Sequence, residues 1–169
     1  AGLRAPPAPG TEHTDVKLAI ALHGAPDHGS YEQEAARAAR LGFAAFVPTY
    51  DEARDPVDLP AARAAFDRLG VEPVVLNAYT NLVHPDDATR ARNVARLQTA
   101  LRAAAALGCP WVNTMAGTRD PELTFWSYHP DNFGDDAWRC LVASVRQVLD
   151  GVAETGVGLT LEPYMLTPL

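Results

Sequence analysis

Along most of the chain, apolar and polar positions repeat one phrase. A helix-period stretch rich in Ala, Arg and Leu ends at a glycine, a short apolar run follows, and polar or turn residues return. The phrase reads ARLGFAAFVPTY over 39–50, DRLGVEPVVLNAY over 67–79, ALGCPWVNTMAG over 106–117 and AETGVGLTLEPY over 153–164. The junction residues are Gly42, Gly70, Gly108 and Gly156. Glycine at such a point takes left-handed backbone and ends a helix without a steric penalty. Each apolar run after it, closed by turn chemistry, predicts a strand buried on both faces. KLAIALHG at 17–24 predicts one more strand ahead of the first helix.

The helices between are well marked. SYEQEAARAARLG opens on Ser30 with Gln33 three residues on, the spacing of a capping box. DLPAARAAFDRLG offers Asp58 as a cap with Pro60 in the first turn, and PDDATRARNVARLQTALRAAAALG is long and helix-prone throughout. In DDAWRCLVASVRQVLDGVAETG, helical spacing places Trp138, Leu141, Val142, Val145, Val148, Leu149 and Val152 on one face. Five strands thus alternate with four helices. Strict alternation predicts an α/β fold with parallel strands and right-handed crossovers, either a doubly wound open sheet or a (β/α)8 TIM barrel. In both, working residues gather where strand carboxyl ends meet the following loops.

Composition narrows the function. At 169 residues and 47% hydrophobic, one sizeable core is expected. A formal net charge of -7 disfavours nucleic acid as a partner, since phosphate binding draws on Lys and Arg. No stretch approaches the roughly 18 apolar residues of a membrane span. The only cysteines, Cys109 and Cys140, show neither CxxC nor metal-ligand spacing and are expected as buried free thiols, in keeping with a cytoplasmic location. Residues 1–16, rich in Ala and Pro and without a signal-peptide core, read as a flexible lead-in, and 17–169 as the folded unit.

The strand ends bring together His23, then Thr49 to Glu52, Asn77 to Asn81, Asn113 to Thr118, and finally Glu162 and Tyr164. Most have an ordinary alternative. His23 fits a hydrogen-bonded loop residue, and Asp51 and Glu52 fit a solvated helix start. Asn77, Tyr79 and Asn81 alternate and would share one direction, yet Asn is also a common turn residue. The lone Gly117 in NTMAGTRDP lacks the context of a phosphate loop. WSYHPDNF is either a lid that turns Tyr128 and His129 inward or a packed loop in which Asp131 or Asn132 caps the next helix. Glu162 stands apart, because it ends the apolar run GVGLTL and is followed by Pro163. A carboxylate is rarely buried unless it is paired or bound to a cation.

At GVGLTLEPYMLTPL, with EQEAARAARLGF, RARNVARLQTALRAAAALGCPWV and HPDNFGDDAW before it, the chain resembles the sugar phosphate isomerase/epimerase group built on the xylose isomerase-like TIM barrel. That group includes ketose 3-epimerases, inosose dehydratases and hydroxypyruvate isomerases. The resemblance spans about 17–169 and implies the N-terminal portion of a barrel, its first five strands and four helices. It implies that Glu162 is both a metal ligand and the catalytic acid/base, beside a divalent ion (Mn, Mg, Co or Zn). An Asp, a His and a second Glu from later strands, beyond Leu169, would complete the ion's shell. The chemistry implied is proton abstraction next to a carbonyl with a metal-stabilised enediolate, on a sugar, sugar phosphate or polyol. His23, Tyr79, Asn81, Asn113, His129 and Tyr164 are the residues expected around that substrate. A complete barrel takes about 250 residues. The chain alone is therefore expected to be inactive, and its association with further strands or with other copies of itself stays open.

Two other readings stand beside this one. A non-catalytic sugar- or polyol-binding barrel would use Glu162 only to accept hydrogen bonds. The related endonuclease IV barrel would need histidines at the third and fourth strand ends, where LNAYTNL and NTMAGT carry none; His84 lies further on, beside Pro85.

Overall fold

The computed structural model describes residues 17–21, 29–52, 58–122, 127–164 and 167–168. The lead-in and His23 lie outside this set. The elements run β1 (Ala19–Ala21), α1 (Tyr31–Arg40), β2 (Ala45–Val47), α2 (Leu59–Leu69), β3 (Glu72–Pro73), β4 (Leu76–Asn77), α3 (Asp87–Leu107), β5 (Trp111–Met115), α4 (Asp135–Asp150) and β6 (Gly158–Glu162). Short 3-10 turns at Pro130–Phe133 and Ala153–Thr155 flank α4. All strand pairs are parallel, in the orders β1-β2-β3 and β4-β5-β6. Helices α1 to α4 follow one another around the outside, each against the next. This is a partial barrel; the sheets do not close among the described residues.

Local chemistry sets most boundaries where the sequence places them. Ser30 Oγ accepts from the Gln33 amide at 3.2 Å while Gln33 Oε1 accepts from the Ser30 amide at 2.9 Å, completing the capping box. Asp58 and Asp86 cap α2 and α3 by accepting from Ala61 and Thr89. Gly70 and Gly108 end those helices with left-handed φ of 65° and 71°. The last helix differs from expectation, because α4 stops at Asp150 and a 3-10 turn intervenes before Gly156. Two α3 side chains tie off its end: Gln98 Nε2 donates to the Gln147 carbonyl at 2.9 Å and Arg102 Nη2 to the Gly151 carbonyl at 2.7 Å. Its buried stripe is also narrower than the spacing predicts. Ala137, Leu141, Ser144 and Val148 face inward, while Trp138 and Leu149 stand 55% and 40% exposed.

The third predicted strand is interrupted. Between the Ala45–Glu72 pair and the Thr49–Asn77 bridge, this strand takes up one more residue than its neighbour. Val74 still donates to the Phe46 carbonyl, but it is Asn77, not Leu76, that donates to the Pro48 carbonyl. The extra residue is a β-bulge, and Pro73 immediately before it has no amide hydrogen to hold a regular ladder. It divides the strand into β3, paired to β2, and β4, paired to β5.

The core lies between the sheets and the helices. Phe46 meets Phe66 edge to face, with centroids 5.1 Å apart, and Leu76, Leu97, Leu101, Leu107, Val112, Leu141 and Val148 are buried around them. The expected burial of strands on both faces fails at β5 and β6. Val112 and Thr114 are buried and Leu159 and Leu161 pack on the core, but the opposite face shows an exposed Trp111 and Thr160. That second face points into the barrel interior, where no described strand lies across from it. Cys109 is buried and its thiol is pushed up to about 11 by that burial, whereas Cys140 is only half-buried; both are free. Among the described residues, no helix is long and apolar enough to cross a membrane.

The loops after β4 and β5 are stitched together. Asn81 Oδ1 accepts from the Val83 and Thr118 amides at 3.1 Å, and its Nδ2 donates to the Thr118 carbonyl at 2.8 Å. Gly117, at φ 102°, lies so close that a Cβ would overlap Asn81. Asn132, fully buried, accepts from the Arg119 amide at 2.7 Å and donates to the Ser127 carbonyl at 3.1 Å. It clamps the loop and does not cap α4, whose cap is Gly134. Gly117→Ala is expected to lower stability in urea unfolding well beyond Gly70→Ala. Both substitutions meet left-handed strain of about 1–2 kcal/mol, but open space surrounds Gly70 while Asn81 fills the space at Gly117. Equal losses would show that the contact with Asn81 is unimportant.

Candidate active site

The site grows from strand alternation. In β6, Leu159 and Leu161 turn to the helices, so Gly158, Thr160 and Glu162 fall on the inward face. The register pairs Trp111 with Gly158, Asn113 with Thr160 and Met115 with Glu162. Each inward residue of β6 meets β5 differently. At Gly158 the Trp111 ring leaves no room for a Cβ. Thr160 Oγ1 lies 3.0 Å from Asn113 Oδ1 and 3.2 Å from the Val112 carbonyl. Glu162 Oε2 accepts from Asn113 Nδ2 at 3.0 Å and from the Tyr79 hydroxyl at 2.9 Å. Asn113 Nδ2 also lies 3.3 Å from Asn77 Oδ1.

Tyr79 is held from behind. Arg96, from α3, donates through Nη1 to the Tyr79 carbonyl at 2.8 Å. The same guanidinium lies 5.4 Å over the Tyr50 ring, with its Nε 3.4 Å from Glu52. Burial, then the hydrogen bond to Glu162 and the charge of that carboxylate, push the Tyr79 phenol up to about 12, against a lowering bond from Asn113. Burial and then Glu52 likewise raise Tyr50, which Arg96 opposes. Tyr79 is therefore a protonated donor at neutral pH. Both donors to Glu162 converge on Oε2, and among the described residues Oε1 accepts no hydrogen bond. The arrangement offers one oxygen of a fixed carboxylate at the mouth of the barrel, suited to taking a proton, accepting from a hydroxyl or meeting a cation.

Of the residues expected at the site, Glu162, Tyr79 and Asn113 come together, with Asn77 beside them. Asn81 shares their strand alternation but turns away, its amide committed to the loop stitch. His129 caps its own 3-10 turn, Nδ1 accepting from the Asp131 amide at 3.3 Å, and among the described residues it has no hydrogen bond to the Glu162 network. Tyr164 is exposed two residues past Glu162. His23 lies outside the described residues. Gly117 serves the contact with Asn81. Thr160 and Arg96 were not anticipated. Period-two spacing from Glu162 back to Thr160 and Gly158 could have revealed the first, whereas nothing in the helical pattern of α3 distinguishes Arg96.

A cation centre is not assembled here. Among the described residues, no group of three or more His, Cys, Asp or Glu side chains is placed to hold a metal ion. Magnesium and similar hard ions take about six ligands, and Glu162 supplies one carboxylate.

The Tyr79 geometry predicts an alkaline signature. Difference absorbance should show a phenol transition near 12 that disappears in Tyr79→Phe and moves down in Glu162→Gln, where burial alone still holds it above the ordinary value of about 10. Because folding raises this pKa, the folded state binds the proton more tightly. The associated stability is complete below about 10 and is lost as pH rises from about 10 toward 12. An unchanged midpoint in Glu162→Gln would show that the two side chains do not interact.

Residues 35–166 match the family model of the xylose isomerase-like TIM barrel. The fold is similar to L-ribulose 3-epimerase (TM-score 0.69, 19% identity, 86% of this chain and 48% of that one). It is also similar to D-psicose 3-epimerase from Clostridium cellulolyticum (TM-score 0.65, 18% identity, 86% and 52%) and to the probable 3-DHS dehydratase AsbF of Bacillus anthracis (TM-score 0.66, 13% identity, 90% and 54%). No curated protein sequence matches the chain. At these identities the likeness is one of fold, and the chain spans about half the length of the solved structures it matches. On the strength of the family match, the chain belongs to the xylose isomerase-like TIM barrels.

Proposed function

We propose that this chain contributes the reactive carboxylate of an isomerase- or epimerase-type enzyme acting on a small sugar, sugar phosphate or polyol. One observation supports the reading above others. Glu162 ends an inward-facing strand at the barrel mouth with Oε2 held by two donors and Oε1 open to a ligand. The epimerases and the dehydratase with the same fold point to the same class of chemistry.

In the proposed step, Oε1 of Glu162 takes the proton from a carbon next to a carbonyl. The C–H electron pair becomes the carbon–carbon double bond, and the carbonyl electrons move onto oxygen, giving an enediol(ate). Return of a proton to the other face by a second acid, from the strands that complete the barrel, gives the epimer. Its return by Glu162 to the neighbouring carbon gives the isomer, and a β-hydroxyl that takes a proton and leaves as water gives dehydration. Tyr79 and Asn113 draw charge onto Oε2 and hold the carboxylate plane, so Oε1 is the basic oxygen. The divalent ion implied by the family resemblance finds one carboxylate among the described residues. In this proposal its remaining ligands come from strands that complete the barrel, supplied beyond Leu169 or by another chain.

Exchange of a carbon-bound substrate proton with solvent deuterium tests the reading across a panel of ketoses and inososes. The polypeptide in which this chain is followed by barrel-closing strands should exchange, and Glu162→Gln should reduce exchange by about 10²–10⁴-fold. The 169-residue chain by itself should show none. No exchange with any substrate would sink the enzyme reading, and saturable sugar binding without exchange would favour a binding barrel. Exchange by the 169-residue chain alone would refute the need for further strands.

A further inference from the structure

Asn113 looks like a residue left to greet the substrate, yet both of its N–H donors already have partners. An amide has two N–H donors and a carbonyl acceptor. Here Nδ2 lies 3.0 Å from Glu162 Oε2 and 3.3 Å from Asn77 Oδ1, and Oδ1 faces the Thr160 hydroxyl at 3.0 Å. Rotating the amide by half a turn would set Oδ1 against two acceptors, one of them a carboxylate. It would also place Nδ2 on Thr160. The hydroxyl proton of Thr160 can go to Asn113 Oδ1 or to the Val112 carbonyl at 3.2 Å. Only the first choice reinforces the amide orientation that Glu162 needs.

We infer that Thr160 and Asn113 are positioning residues: the Thr160 hydroxyl fixes the Asn113 amide, which holds Oε2 of Glu162 and so presents Oε1 to the reacting carbon. The inference rests on the proposed role of Glu162 as base. It takes the Asn113 N–H donors out of the substrate contacts and assigns a task to Thr160, an exposed side chain with no part in the core. Asn77 backs the same amide from the second side, its own backbone fixed by two hydrogen bonds, its N–H donating to the Pro48 carbonyl at 2.9 Å and its carbonyl accepting from the Tyr50 amide at 2.7 Å. The chain of control runs along one row of the sheet, from a hydroxyl to an amide to a carboxylate.

Two substitutions and two readouts test it. Thr160→Val keeps the side chain's shape and removes the hydroxyl, Thr160→Ser restores the hydroxyl, and the exposed position makes both compatible with folding. In the isotope-labelled 169-residue protein, the Asn113 side-chain amide resonances should move from their wild-type positions in Glu162→Gln. They should also move in Thr160→Val and return to the wild-type positions in Thr160→Ser. In the barrel-closed protein, Thr160→Val should lower kcat for exchange roughly tenfold with KM unchanged, and Thr160→Ser should recover it. Wild-type resonances and kcat in Thr160→Val would overturn the inference, as would equal losses in the Val and Ser variants. If the wild-type protein exchanges nothing while the amide resonances still follow the hydroxyl, the positioning stands and the proposed reaction falls.

Discussion

The parallel register between β5 and β6 is the constraint on which the rest depends. Pairing Met115 with Glu162 and Asn113 with Thr160 puts Asn113, Thr160 and Glu162 on one face and Val112, Leu159 and Leu161 on the other. A slip of one residue would exchange the faces, burying a carboxylate against the helices and turning leucines into the interior. The apolar contacts therefore do more than stabilise the sheet. They fix, through strand alternation, the side on which Glu162 emerges. Gly158 makes the register more definite, since the Trp111 ring occupies the place of its missing side chain.

Once Glu162 emerges, local electrostatics settle its orientation. Two neutral donors meet one oxygen, and one of them, Tyr79, keeps its proton because burial and the carboxylate itself oppose ionisation. The arrangement is self-consistent: the carboxylate keeps the phenol protonated, and the protonated phenol holds the carboxylate. Arg96 adds a second tier by fixing the Tyr79 backbone while it covers Tyr50 and approaches Glu52, joining α3 to the ends of two strands.

Much of this was legible in the sequence, for identifiable reasons. The capping box at Ser30 and the stop glycines act within a few residues, so the helices appear close to where the pattern places them. Glu162 announced itself because an apolar strand ending in a carboxylate is chemically unusual. What escaped was set by neighbours distant in sequence. The bulge before Asn77 reflects the mismatch between two strand ladders, which no single strand reveals. Asn81 and His129 looked available because their types bind ligands, but Asn81 is consumed by a loop some 37 residues away and His129 by its own turn. Thr160 read as a strand-former, and its function appears only with Asn113 opposite. The exposed inward face of β5 and β6 was hidden by the same rule that located the strands, because a continuous apolar run suggests burial on both sides.

The bulge between β3 and β4 also bears on how this architecture can diversify. It forms a seam, with β1 to β3 keeping one register and β4 to β6 another, joined through the Thr49–Asn77 bridge. The carboxylate, its partners Tyr79 and Asn113, and Thr160 all belong to the second group, which Arg96 on the adjoining helix and the backbone bonds of Asn77 tie to the first. Changes within β1 to β3 can thus leave undisturbed the β5–β6 register that aims Glu162. Such a division lets the setting of one carboxylate be inherited intact while the neighbouring strands evolve on their own.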